Sequence, residues 1–189
     1  KSAGVPVTDH VIATRDAIAK SHVMAPPYVV KPYNDGSSVN VFIVKEGQEH
    51  PPQEILRTDW DGDEELMVER FIPGRELTCA VMGDVALGVI EVVTDLAFYN
   101  YEAKYVHGGS RHELPAQVSP KIYEKVQKMS LMAHAALGCR GVTRSDFRYD
   151  PRGGDDGELV CLEINTQPGM TKTSLVPELA AHAGHSFEE

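Results

Sequence analysis

Two short stretches carry charged and amide side chains at spacings that suit chemistry: "GVTRSDFRYD" (141–150) and "CLEINTQPG" (161–169). Each alternates like a strand. In the second, Val160, Leu162 and Ile164 would point to one face, and Cys161, Glu163 and Asn165 to the other. Joined as an antiparallel pair through "PRGGDDG", with Asp150 opposite Leu159, the strands would set Asp146 against Glu163 and Arg144 against Asn165 on one face. Two facing carboxylates repel unless a cation lies between them, and an amide oxygen adds a third donor. Mg²⁺ is held in this way, by one or two carboxylates together with substrate phosphates. Arg144 beside the cluster would neutralise an anion or a developing oxyanion. The strand then breaks at Gln167-Pro168-Gly169, where a glycine lets a backbone N–H approach a ligand closely. The alternative is an exposed Arg/Asp/Glu network on a strand face that meets water.

Three weaker signals lie upstream. In "KPYNDGSSVN" (31–40), Lys31 ends a strand and Gly36-Ser37-Ser38 would present amides and hydroxyls to a phosphate. The same residues also make an ordinary hairpin turn, and they are no Walker A loop. In "YNYEAKY" (99–105), Lys104 would bring a mobile positive charge to a polyphosphate, or simply sit in a polar loop. In "MVERFIPGREL" (67–77), Glu69 and Glu76 flank a strand-to-turn corner. Adenine needs an acceptor for its amino group and a backbone N–H for its ring nitrogen, and a ribose suits a carboxylate. Surface charge is the competing reading of each Glu.

The elements that must hold these groups read as α+β with antiparallel sheets. A loop and short strand in "AGVPVTDHVIA" lead to a short helix capped by Thr14. "PPYVVKP" and "VNVFIV" are strands, and "KEGQEHPPQEILRTDWDGDEE" is irregular around one helical patch. Pro73-Gly74 marks a candidate domain boundary, and "LTCAVMGDVALGVIEVV" a hairpin turning at Gly83-Asp84. Thr94 to Val118 lacks periodicity, as lids do. "SPKIYEKVQKMSLMAHAALG" is the clearest helix, with Ser119 as cap, Gly138 as stop, and Ile122, Val126, Met129, Ala133 and Leu137 on its core face.

The chain has 189 residues, 42% hydrophobic and 24% charged, an ordinary globular balance for one large or two small domains. Its net charge of −10 would repel nucleic acid and anionic membranes, so neither is an expected partner, and local cations and amides must hold any phosphate. Cys79, Cys139 and Cys161 lie in apolar segments without metal-ligand spacing, which predicts reduced core thiols in a cytoplasmic protein. No apolar run is long enough to span a bilayer. The opening "KSAGVPVTD" has no initiator Met, so a fragment is expected.

Taken together, "VVKPYNDGSSV", "VERFIPGRELT", "FYNYEAKY", "GVTRSDF" and "LEINTQPGMTKTSLVP", in that order and spacing, resemble the D-alanine–D-alanine ligases of the ATP-grasp superfamily over essentially the whole chain. The resemblance implies an ATP-grasp fold in which two α+β subdomains with antiparallel sheets clamp ATP between them. Residues 1–72 would form the central subdomain and 73–189 the C-terminal one, with the family's N-terminal domain absent. It implies that Lys31 and Lys104 contact the ATP phosphates, and Glu69, Ile72 and Glu76 the adenine and ribose. Asp146, Glu163 and Asn165 would bind two Mg²⁺ (or Mn²⁺) ions, with Glu163 shared. Arg144 and the N–H of Gly169 would form the oxyanion site. Ser174 and the amide of Leu175 would hold the carboxylate of the second D-alanine, while Ser37 and Tyr105 join the closed lid to the site.

The reaction so implied joins two D-alanines for peptidoglycan precursor synthesis. One carboxylate attacks the γ-phosphate to give an acyl phosphate and ADP, and the second molecule's amine then displaces phosphate. The resemblance also implies a homodimer for the full-length enzyme. The rivals are another ATP-grasp carboxylate–amine ligase, one that makes a depsipeptide from a hydroxy acid, and a nucleotide-binding fragment without catalysis; Tyr105 favours the amino-acid substrate. Thr143, Ser145 and Arg148 are polar where the family is usually apolar, and Arg70 stands where Lys is common.

Overall fold

A computed structural model describes residues 1–33, 40–57, 64–93, 111–154 and 156–187. They fall into two compact units, and the chain passes from one to the other between Val7 and Thr8 and again between Phe71 and Ile72. The first unit, Thr8–Phe71, holds β1 (His10–Thr14), α1 (Arg15–Lys20), β2 (Tyr28–Lys31), β3 (Phe42–Val44), a 3₁₀ turn (Gln53–Leu56) and β4 (Glu65–Arg70). The sheet is antiparallel in the order β1-β4-β2-β3. Alternation sends Tyr28, Val30, Leu66 and Val68 into a core with Ile18, Val44 and Ile55. Lys31 and Glu69 fall on the opposite face. The hydroxyl of Thr14 accepts the Ala17 N–H at 3.3 Å and so starts α1 where the sequence predicts.

The second unit contains Lys1–Val7, Ile72–Val93 and the described residues from Arg111 onward. Its elements are β5 (Arg75–Met82), β6 (Val85–Val93), β7 (Arg111–Glu113), α2 (Pro120–Ala136), β8 (Val142–Asp150), β9 (Glu158–Asn165) and α3 (Leu175–His182). The five-stranded antiparallel sheet runs β7-β6-β5-β8-β9. One face packs Leu77, Cys79, Val89, Phe147, Tyr149, Leu159 and Cys161 against Ile122, Val126, Met129 and Ala133 of α2. Each fully buried aliphatic or aromatic side chain contributes about 1.5–3 kcal/mol to that packing. The other face is left to Glu76, Thr78, Arg144, Asp146, Arg148, Glu163 and Asn165. Between β8 and β9, the backbone N–H of Arg152 (3.0 Å) and then its side chain (3.1 Å) bond Asp150 and hold that carboxyl below the usual carboxylate range. None of the described helices is long and apolar enough to cross a membrane.

Several expectations need correction. Asp150 pairs with Glu158, not Leu159, because a β-bulge lies between the Asp146↔Glu163 and Phe147↔Cys161 pairs. The extra residue is Leu162. It breaks the alternation, so Leu159, Cys161 and Ile164 all serve the core side, and Cys161 does not share a face with Glu163 and Asn165. The aperiodic segment expected to reach Val118 already contains β7, paired with Glu91–Val93, and Ala116 is buried in the core. Leu137 does not line α2's core face: the helix stops at Ala136, Leu137 is 62% exposed, and Ser130 and His134 are the additional buried positions. Lys1–Val7, expected in the first subdomain, instead packs with the second unit; Val5 enters its core and the Pro6 carbonyl accepts the Cys161 N–H at 2.9 Å.

All three cysteines are free, but Cys139 is only half-buried, whereas Cys79 and Cys161 are buried. Burial pushes the Cys79 thiol up to about 11. The thiolate is the reactive form, so little of Cys79 is nucleophilic at pH 8. Iodoacetamide at pH 8 is therefore expected to modify Cys139 in the native chain and to reach Cys79 and Cys161 only after unfolding. Peptide mass spectrometry reads this, and early labelling of Cys79 would contradict the core.

Candidate functional site

The polar face of β8 and β9 gathers four side chains. Register sets Asp146 opposite Glu163 and Arg144 opposite Asn165. Arg144 grips Asp146 as a fork, Nε to Oδ1 at 2.9 Å and Nη2 to Oδ2 at 2.8 Å. The Asn165 amide nitrogen donates both to Asp146 Oδ2 and to Glu163 Oε1, each at 3.2 Å. One nitrogen therefore reaches an oxygen of each carboxylate. Thr78, opposite Asp146 on β5, donates its hydroxyl to Asp146 Oδ1 and also lies 3.2 Å from the Ser145 carbonyl. Asp146 is thus fixed from both neighbouring strands, while Glu163 is exposed.

This set fits a hard divalent cation. Among the described residues no three His, Cys, Asp or Glu side chains converge to hold a metal ion, so the protein offers two carboxylates and one amide. That suits an ion that keeps waters and ligand oxygens around it, as Mg²⁺ does, and not a closed cage. Asn165 presents its nitrogen to the carboxylates here; turning the amide over would offer its oxygen at the same place.

Beyond β9, Gly169 lies against Ser174: a Cβ at Gly169 would stand 2.9 Å from Ser174 Oγ, so only glycine fits without a shift. Ser174 is the residue before α3, but its hydroxyl does not cap that helix. Instead it accepts the Thr171 N–H at 3.1 Å and lies 2.8 Å from the Thr171 hydroxyl. The first-turn amides of α3, Leu175 included, are the groups a carboxylate would meet at this helix start. Glu178 ties α3 to β7 through His112 at 2.7 Å.

In the first unit, Lys31 Nζ lies 2.7 Å from Glu69 Oε1, and the Thr8 hydroxyl donates to Glu69 Oε2 at 3.0 Å. Glu69 is buried, so Lys31 and Thr8 satisfy a carboxylate that would otherwise be costly. At the start of the second unit, Ile72 is buried. Arg148 reaches the same segment: Nε donates to the Ile72 carbonyl at 3.1 Å, Nη2 to the Gly74 carbonyl at 3.0 Å, and Nη1 lies 3.6 Å from Glu76 Oε2.

Of the residues named from the sequence, the structure brings Arg144, Asp146, Glu163 and Asn165 together, Gly169 with Ser174, which Leu175 follows as the first residue of α3, and Lys31 with Glu69. Ser37, Lys104 and Tyr105 lie outside the described residues. Thr8, Thr78 and the contacts of Arg148 were not anticipated. The β5–β8 register carries the signal for the last two, and a strand pairing of residues so far apart cannot be read locally.

The family model described as "D-ala D-ala ligase C-terminus" matches residues 1–189. The chain is 63% identical over 190 residues to D-alanine--D-alanine ligase B of Mesorhizobium japonicum, covering 100% of this chain and 62% of that protein. It is 62% identical over 188 residues to the D-alanine--D-alanine ligase of Xanthobacter autotrophicus, covering 100% and 61%. Among solved structures, VanG D-Ala:D-Ser ligase from Enterococcus faecalis superposes with a TM-score of 0.78 at 31% identity, covering 98% of this chain and 55% of that one. The D-alanine--D-alanine ligase of Bacillus anthracis complexed with ATP gives 0.69 at 29% identity, covering 98% and 59%. The chain therefore spans a little over three-fifths of the curated relatives it matches.

Proposed function

Because this chain belongs to the D-ala D-ala ligase C-terminus family, across all of its 189 residues, we propose that it carries the nucleotide, metal and second-substrate residues of an ATP-dependent, ADP-forming D-alanine–D-alanine ligase. The observation that carries this reading is the Arg144–Asp146–Glu163–Asn165 cluster, in which one amide nitrogen serves two carboxylates and an arginine forks one of them.

Asp146, Glu163 and Asn165 would hold two Mg²⁺ or Mn²⁺ ions. Bound there, the metal neutralises charge on the phosphates of ATP and on the departing ADP. Lys31 supplies a cation to the phosphates, moving from Glu69, and Lys104 a second. Glu69, the Ile72 backbone and Glu76 receive the adenine and ribose. The first D-alanine's carboxylate takes the γ-phosphoryl group, giving an acyl phosphate and releasing ADP. The second D-alanine's neutral amine then attacks the acyl carbon, the C–O bond to phosphate breaks, and the amine's proton leaves with the departing phosphate. Arg144, held rigid by its two bonds to Asp146, and the N–H of Gly169 stabilise the oxyanion of that step. Ser174 and the amide of Leu175 hold the second carboxylate, where the close approach of Gly169 to Ser174 keeps oxyanion and carboxylate contacts adjacent. Ser37 and Tyr105 are proposed to close the site against water. The same reading includes two D-alanine molecules as substrates, a homodimer as the assembly of the whole enzyme, peptidoglycan precursor synthesis as its use, and the cytoplasm as its location.

The test is a coupled ADP-release assay on a polypeptide of the relatives' length that contains these residues. ADP should appear with D-alanine and not with L-alanine, at one dipeptide per ADP. Inertness with D-alanine, or preference for D-serine or a D-hydroxy acid as the second substrate, would overturn the substrate assignment.

A further inference from the structure

Arg148 is part of neither the metal cluster nor the oxyanion contacts. It lies on β8, one step of the alternation beyond Asp146, opposite Glu76 on β5 and Val160 on β9. Its side chain is only 15% exposed and that of Glu76 18%. Burial lowers the Arg148 pKa and the nearby Glu76 carboxylate opposes the shift, so the guanidinium stays charged at neutral pH. An apolar side chain of similar length would fill this place without desolvating a charge. What the planar fork adds is two directed hydrogen bonds, to the Ile72 and Gly74 carbonyls, and an ion pair with the Glu76 carboxylate at 3.6 Å, on alternate residues of one segment.

We propose that Arg148 is a positioning residue for nucleotide recognition, fixing the Glu76 carboxylate in the orientation that receives the ribose hydroxyls while pinning the Ile72–Gly74 backbone beside it. The inference rests on the reading of Ile72 and Glu76 as nucleotide contacts. A carboxylate that accepts sugar hydroxyls must hold one rotamer, and a glutamate on its own pays side-chain entropy to do so. An ion pair formed in advance removes that cost from binding. Arg148 in this role never touches the nucleotide; it acts through Glu76, as outer partners of a binding site do.

The experiment measures Mg-ATP, Mg-2′-deoxy-ATP and Mg-3′-deoxy-ATP binding to a polypeptide of the relatives' length that contains these residues, by saturation-transfer NMR, with thermal melts of every variant. ATP is expected to bind about 10-fold tighter than the weaker of the two deoxy nucleotides. Glu76→Gln should bring that ratio close to one. Arg148→Met should bring it to within about threefold of the Glu76→Gln value, and the double variant should fall no further than Glu76→Gln alone. Arg148→Lys keeps the charge without the fork; it should give an intermediate ratio and serves where the Met variant does not fold. If Glu76→Gln lowers the ratio but the Arg148 variants keep the wild-type value, losing only melting temperature or weakening all three nucleotides alike, Arg148 is a structural clamp and the inference is overturned. No ATP binding, or a ratio that Glu76→Gln leaves unchanged, overturns the nucleotide reading itself and Arg148's role with it.

Discussion

Replacing Glu163 by Gln is expected to lower metal-dependent ATP turnover about 1,000-fold or more in a polypeptide of the relatives' length, while leaving the fold intact or slightly more stable. The opposite signs of these two effects make the test sharp. Glu163 is exposed and shares the Asn165 amide with Asp146, so its charge is repelled by the neighbouring carboxylate when no cation is present. Gln keeps the shape and an oxygen that still accepts from Asn165, and it removes the repulsion. It also removes one of the two anions that draw a dication to the site. Asp146→Asn would be a poorer probe, because Asp146 receives the Arg144 fork and the Thr78 hydroxyl, and neutralising it would loosen the sheet as well. Mn²⁺ titration followed by electron paramagnetic resonance, alongside thermal melts, separates the two effects. Turnover near wild type with unchanged metal dependence would sink the metal assignment.

What the sequence made legible, and what it hid, follows from how far apart the informative residues lie. The site end of the β8–β9 pair was readable because Asp146, Glu163, Arg144 and Asn165 are polar against apolar neighbours, which marks their face without ambiguity. From the next residue, Phe147, the same reasoning slips by one. Leu159, Val160, Cys161 and Leu162 are all apolar, so no contrast marks which of them is the extra residue of the bulge. The helix α2 was legible through its Ser119 cap and apolar spacing. Its last residue was not, since Leu137 continues the pattern after the backbone has left the helix. With three residues, β7 is too short to show a period and exists because β6 offers it an edge. Thr143 and Ser145, polar where the family is usually apolar, are buried. The structure gives Thr143 a partner in His134 at 2.9 Å, while the buried Ser145 hydroxyl has none among the described residues. Arg148 stands out in the sequence only as polar where the family is usually apolar, and its contacts depend on β5, about 70 residues away in sequence, coming to lie alongside β8.

Gly74→Ala is expected to destabilise the second unit by about 3 kcal/mol, lowering its melting temperature by about 10 °C. Gly74 has φ +95, and a Cβ there would stand 2.3 Å from the Tyr149 carbonyl oxygen and 2.9 Å from Asp150 Cα. Those are backbone atoms of β8, and Tyr149 is the register partner of Arg75, the first residue of β5. Neither strand can give way without opening the pairing at that end. The positive φ alone accounts for only part of the loss, about 1 kcal/mol. Gly138→Ala isolates that part: Gly138 has φ +61 and nothing within 4 Å of its Cβ position, so its variant should melt only about 3 °C lower. The Gly74 carbonyl also accepts from Arg148 Nη2, so a displaced Gly74 pulls on the guanidinium that lies beside Glu76. Gly74→Ala should therefore lose ribose discrimination as well as stability, whereas Gly138→Ala should lose a little stability and keep the discrimination. Circular-dichroism melts and the deoxy-nucleotide ratio measure both. If Gly74→Ala melts no lower than Gly138→Ala, the close packing of the β4–β5 link on β8 is refuted.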